Sequence, residues 1–169
     1  MSMLMETFGI QKMFRANWDT VWMNVALVIA TRSECVRDQN GAVIIDSTNR
    51  IISSGYNGPP RGQPTGAGCQ VYCERATCST AAPEHYHNCV AIHAEANALL
   101  FCDRREIEGG KLYVTSVPCF DCAKLVANSG IKRLIYLETS GKMYRNPEKT
   151  LEFFKKYGIE VTSECSYMD

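Results

Sequence analysis

No sign of charge dominates this chain of 169 residues, in which 18 lysines and arginines are matched by 18 aspartates and glutamates. That balance excludes the broad positive field needed to hold tRNA or duplex DNA, while a small anionic ligand in a local pocket stays compatible with it. Long apolar runs are missing too. The longest, residues 25–30, falls far short of the ~20 residues that a membrane span takes. There is no export signal, because Glu6 interrupts the first apolar residues and Lys12 and Arg15 follow them, the reverse of signal-peptide order. Internal repeats and low-complexity linkers are absent. The expectation is a soluble, cytoplasmic protein with no membrane or long nucleic-acid partner. With 46% apolar residues it should form a single domain over residues 1–169.

Nine cysteines are present, an odd number in a chain without an export signal. Metal-bound thiolates or buried thiols are therefore expected rather than a disulfide framework. Cys102 and Cys165 read as ordinary buried or incidental cysteines.

Hydrophobic periodicity gives an alternating pattern. Trp18, Val21, Trp22, Val25, Val28 and Ile29 follow helical spacing and predict a helix to about Arg32, with Asn17 or Asp19 as N-cap. Residues 41–46 and 50–56 read as two strands joined by a hairpin turn. Residues 57–64 are dense in Gly and Pro, and clear periodicity does not return until about Asn88, so residues 57–90 are expected to form an irregular insert of the kind that carries function. Helices over 93–105, 119–128 and 147–157 then alternate with strands over 112–115, 131–137 and 159–162, with Gly130 and Gly158 at helix ends. The pattern predicts an α/β fold, a three-layer α/β/α sandwich around a mixed five-stranded sheet.

The chemistry concentrates in two short segments, His93-Ala94-Glu95 and Pro118-Cys119-Phe120-Asp121-Cys122, each predicted to open a helix. Cys119 and Cys122, three residues apart, project from one face of a first helical turn, and Pro118 suits the helix start because it has no N–H to leave unpaired. Two sulfurs and the His93 imidazole suit zinc, and three protein ligands leave a fourth tetrahedral position open. Two thiolates largely cancel the charge of the zinc, so a neighbouring base is needed. Glu95 is placed to take a proton from the attacking water, pass it to a ring nitrogen and then protonate the departing amine. Either motif alone is weak, since a lone Cys-x-x-Cys is commonly a redox motif or half of a zinc ribbon. In this order and spacing they match the signature of zinc deaminases.

At these residues the chain resembles the deoxycytidylate deaminases of the cytidine deaminase-like superfamily, from about Trp18 to Val161. Besides the two zinc segments, the resemblance is carried by Arg32-Ser33-Glu34-Cys35, Gly41-Ala42-Val43, Gly55-Tyr56-Asn57-Gly58-Pro59-Pro60-Arg61-Gly62, Leu112-Tyr113-Val114-Thr115 and Ser129-Gly130-Ile131-Lys132. It implies hydrolysis of dCMP to dUMP and ammonia, with Asn57 on the deoxyribose and Ala94 framing the base. It also implies a triphosphate effector site at Gly55, Tyr56, Asn57, Gly58, Arg61 and Gly62, where dCTP activates and dTTP inhibits, with Mg2+ accompanying the effector. A homo-oligomer, a hexamer, is implied as well.

Cys35 matches a position often used in that family for a second, structural zinc, and Cys69, Cys73, Cys78, His85, His87 and Cys89 crowd the insert. Cys35, Cys69, His87 and Cys89 are the expected ligands, with Cys73, Cys78 and His85 open as replacements. Two other readings stand beside this one. A deaminase of another cytosine or adenine nucleoside or nucleotide would share the same zinc site, and a non-catalytic, zinc-stabilised nucleotide sensor would have no use for Glu95.

Overall fold

A computed structural model describes residues 15–62, 73, 89–138 and 147–165. Helix α1 spans Trp18–Ala30, and Asn17 is its N-cap, its side-chain oxygen accepting from the Asp19 N–H at 3.2 Å. Strands β1 (Gly41–Ile45) and β2 (Ile51–Tyr56) form the expected antiparallel hairpin. The Asp46 carboxylate organises its turn by accepting from the Thr48 and Arg50 N–H groups at 2.9 and 2.8 Å.

Helix α2 runs Ala94–Leu100, shorter than the predicted span of 93–105, and a separate turn, α3, covers Arg104–Ile107. The break is local chemistry: Phe101 leaves the helical region, and the Asp103 carboxylate accepts from the Arg105 N–H at 2.8 Å, which caps a new turn. Strand β3 (Lys111–Val114), helix α4 (Phe120–Ser129), strand β4 (Arg133–Glu138), helix α5 (Pro147–Lys156) and strand β5 (Glu160–Cys165) follow. Gly130, at φ 98°, ends α4 in the left-handed conformation that glycine tolerates best.

The five strands make one sheet in the order β2-β1-β3-β4-β5. β1 is antiparallel to both β2 and β3, whereas β3, β4 and β5 are mutually parallel, so the sheet is mixed, as the alternating pattern predicts. Helix α1 covers one face, packing Met23 and Ala26 on Val43, Ile45, Tyr113 and Ile135. The other face packs Ala42, Ile44, Leu112 and Leu134 against the apolar sides of α2, α4 and α5. All five residues of β1 are buried as a result, which explains its unbroken apolar run. Among the described residues, no helix is long and apolar enough to cross a membrane.

A buried polar clamp fastens the start of α1 to the far end of the sheet. The Tyr113 hydroxyl donates to Asp19 Oδ1 at 2.6 Å, Arg133 pairs with Asp19 Oδ2 at 3.0 Å, and the same guanidinium donates to Thr162 Oγ1 at 3.3 Å. Burial, and then the bond to Asp19, raise the Tyr113 phenol above its ordinary range. A raised folded-state value means that the contribution of Tyr113 to stability is complete below about pH 10, the range of an unfolded tyrosine, and is lost as the pH climbs beyond it. Urea midpoints compared at pH 8 and pH 11 are expected to fall less in Tyr113→Phe than in the parent protein, although the substitution itself costs about 1 kcal/mol at pH 8.

Candidate active site

The site lies where β2 and β3 end and β1 begins. Both ligand-bearing segments enter helices there. His93 is the N-cap of α2 (φ −69°, ψ 157°) and Cys119 the N-cap of α4 (φ −69°, ψ 164°), so each residue is extended just before its helix starts. The Cys119 sulfur caps its own helix, accepting from the Cys122 N–H at 3.5 Å. The His93 ring makes no such bond to α2 and turns towards the sulfurs.

His93 Nδ1 stands 3.3 Å from Cys119 Sγ and 3.4 Å from Cys122 Sγ, and all three atoms lie within 4.8 Å of one another. Zinc–sulfur bonds of about 2.3 Å and zinc–nitrogen bonds of about 2.0 Å in a tetrahedron put nitrogen and sulfur about 3.6 Å apart. The three groups therefore fit zinc with little adjustment. The Cys119 thiol is drawn down to about 4, first by the hydrogen bond of the Cys122 thiol and then by that of His93, with burial opposing both. A thiolate at a helix start is the form that binds metal. Glu95 is buried, 3% exposed, in the first turn of α2, two residues past His93.

Tight packing positions α2. A Cβ on Gly55, in β2, would fall on the Ala94 carbonyl oxygen and the Ala98 nitrogen, so strand and helix touch backbone to backbone. Gly41, in β1, stands in the same relation to Ala26 and Ala30 of α1 on the opposite face. The pair Gly58 and Ile92 exchanges two backbone bonds, of 3.1 and 2.8 Å, directly before His93.

The other expected site residues are placed as follows. Asn57 is 7% exposed, with its amide engaged on both sides: Oδ1 accepts from the Asn40 N–H at 2.8 Å and Nδ2 donates to the Asp38 carbonyl at 2.8 Å. Ala94 is fully buried, and its methyl belongs to the core cluster with Ala98 and Leu112. Of the expected effector residues, Gly55 is a packing point and Gly58 part of the bridge to Ile92, while the Tyr56 carbonyl accepts from Asn97 Nδ2 at 2.7 Å. Arg61 lies over the Phe101 ring, 4.5 Å from its centroid, at the far end of α2, and Gly62 holds φ 93° with open space around it.

Cys35 and Cys89 are half-buried and Cys73 is buried, whereas Cys69, Cys78, His85 and His87 lie outside the described residues. Among the described residues, His93, Cys119 and Cys122 are the one group of three side chains placed to hold a metal. Cys102 is half-buried and its thiol is raised, chiefly by burial, which suits an ordinary core cysteine. Cys165 ends β5.

Two features escaped the sequence reading. An open cavity of about 500 Å³ is lined by Cys35, Val36, Arg37, Asp38 and Gln39, the loop that Asn57 holds. Ser33, Asn40 and Thr115 form a buried polar network around it. The available signal was the presence of Asn40 and Thr115 immediately outside two fully apolar strands.

The fold and the His/Cys/Cys group define a metal-binding α/β protein of the deaminase type. Residues 16–138 match the family model described as the cytidine and deoxycytidylate deaminase zinc-binding region, and the chain belongs to that family. The chain is 42% identical over 132 residues to the deoxycytidylate deaminase of Mycobacterium phage D29, a match covering 76% of this chain and 100% of the phage protein. It is 32% identical over 152 residues to the deoxycytidylate deaminase of Saccharomyces cerevisiae, covering 88% of this chain but 45% of the yeast protein. The structure of the cyanophage S-TIM5 dCMP deaminase in complex with dCMP and dUMP superposes with a TM-score of 0.67 at 26% identity, covering 89% of this chain and 99% of that one.

Because Gly55 leaves no room for a side chain, Gly55→Ala is expected to cost about 1–3 kcal/mol in thermal or urea unfolding. By pushing α2 outward it should also weaken zinc retention against a chelator, whereas Gly62→Ala, in open space, should leave zinc retention unchanged.

Proposed function

We propose that the chain catalyses the hydrolytic deamination of dCMP to dUMP and ammonia, in one zinc-dependent deaminase domain. The observation that carries this reading is the convergence of His93 Nδ1 with the Cys119 and Cys122 sulfurs, with the buried Glu95 carboxylate in the turn that follows His93. The substrate is supported by the deoxycytidylate deaminases among its relatives and by the dCMP and dUMP bound in the S-TIM5 structure.

When bound by His93, Cys119 and Cys122, zinc supplies the Lewis acidity that makes water a nucleophile near neutral pH. Glu95 moves the protons. It accepts one from water as the oxygen bonds to C4 of the cytosine and delivers it to ring nitrogen N3. It then carries the remaining hydroxyl proton to the exocyclic nitrogen, whose bond to C4 breaks as the C4 carbonyl forms. One water is consumed and one ammonia leaves. Burial beside the start of α2 suits the task, since desolvation raises carboxyl basicity while the positive end of the helix keeps the anion accessible.

The reading extends to the rest of the chain. Asn57 and Ala94 shape the substrate pocket through main chain and packing, and the loop with Tyr56, Gly58, Arg61 and Gly62 takes a triphosphate effector with Mg2+, dCTP activating and dTTP inhibiting. A second, structural zinc on Cys35, Cys69, His87 and Cys89 pins the insert of residues 57–90. Leu100, Phe101 and Leu125 are 66%, 55% and 50% exposed beside an apolar groove, which supports a homo-oligomer, a hexamer. Thiol ligands that must stay reduced support the cytoplasm as its compartment.

Glu95→Ala should lower dCMP turnover by at least about 100-fold with the zinc content of the parent protein, and Cys122→Ala should lose the catalytic zinc. Turnover within about tenfold of the parent protein in Glu95→Ala would overturn the proton-transfer role. Metal analysis of the parent chain is expected to give two zinc ions, and a value of one removes the structural site. In the same assay dCTP should raise, and dTTP lower, the rate at subsaturating dCMP. A rate indifferent to both removes the effector reading while leaving the reaction intact.

A further inference from the structure

The two metal-ligating segments belong to different helices and are tied together through a relay of hydrogen bonds that crosses three loops. Thr115 directly follows β3, four residues before Cys119, and is 5% exposed. Its N–H donates to the Gly41 carbonyl at 3.1 Å, and its hydroxyl accepts from the Gly41 N–H at 3.0 Å and donates to Asn40 Oδ1 at 3.4 Å. The Asn40 N–H in turn donates to Asn57 Oδ1 at 2.8 Å, and the Asn57 N–H to the Asn40 carbonyl at 3.2 Å. Gly58, the next residue, is paired twice with Ile92, which precedes His93. Ser33 Oγ steadies the middle of the relay by donating to the Asn57 carbonyl at 2.7 Å.

We propose that Thr115 is a positioning residue for the reaction, its hydroxyl holding the Gly41 and Asn40 segment so that the thiolate pair and the His93 imidazole keep the spacing the metal needs. The proposal rests on the deaminase reading above. The hydroxyl is used in both senses, as acceptor and as donor. Valine has nearly the same shape and neither capacity, so it would leave the buried Gly41 N–H without its side-chain acceptor. Serine keeps both capacities and lacks only the methyl group.

The contrast between those two residues is the test. Zinc-loaded parent protein, Thr115→Val and Thr115→Ser are compared for the rate of zinc release to a chromogenic chelator and for dCMP turnover. Thr115→Val is expected to release zinc about tenfold faster and to lower kcat about tenfold with KM within about threefold, as loss of an outer-shell hydrogen bond does at other zinc sites. Thr115→Ser should stay close to the parent protein in both. A Thr115→Val variant within about twofold of the parent, or a Thr115→Ser variant as impaired as Thr115→Val, overturns the proposal, the second because methyl packing would then be what matters. Should Thr115→Val fail to fold, Asn40→Ala opens the same relay at the next link, and unchanged zinc release there overturns the proposal equally. Zinc release reports on Thr115 even if the parent protein proves inactive on dCMP, so failure of the deaminase reading and failure of this inference are told apart.

Discussion

Backbone contact between β2 and the first turn of α2 at Gly55 decides where the His93 imidazole stands. Gly41 and Gly55 lie on neighbouring strands one register step apart, Gly41 opposite Tyr56 and Ala42 opposite Gly55. Gly41 receives α1 on one face of the sheet and Gly55 receives α2 on the other. The sheet is thus gripped from both sides at its functional end, with no side chain between helix and strand to act as a compliant spacer. Interiors packed in this way have few alternatives, so a position set by such contacts is held closely.

On that frame, two helix starts point at one place. Their partial positive charges favour the ionised groups the site contains, the thiolates of Cys119 and Cys122 on α4 and the carboxylate of Glu95 on α2. The Asn57 amide, reaching both Asp38 and Asn40, adds the loop before β1 to the same assembly. Polar groups at the opposite end of the sheet do a different job. Asp19, Tyr113 and Arg133 close on one another beneath α1 and anchor the helix whose other end meets Gly41. Chemistry and anchorage are therefore separated by the length of the strands.

Much of this was legible beforehand because the signals are local. The hairpin turn, the apolar runs of β1 and β4 and the glycines that end α4 and α5 are properties of short windows. The division of the predicted helix over 93–105 into α2 and α3 was less legible, because the Asp103 cap competes with an apolar periodicity that continues past it. Gly55 illustrates the harder case. In sequence it opens a Gly- and Pro-rich stretch suited to approaching phosphate, and in the fold it is the point where a helix rests on a strand.

The sequence by itself determined the chemical identity of the centre, since His93, Glu95, Cys119 and Cys122 lie in two short segments whose residue types and helix-start positions restrict the metal and the base. It also determined the layered fold, because periods of two and 3.6 residues are written in the order of the side chains. Only the tertiary structure decided that Thr115, Asn40, Asn57 and Gly58 form a relay between those segments. Links such as Gly41 to Thr115 and Ser33 to Asn57 join residues 74 and 24 positions apart, and they exist only once sheet pairing has brought the loops together.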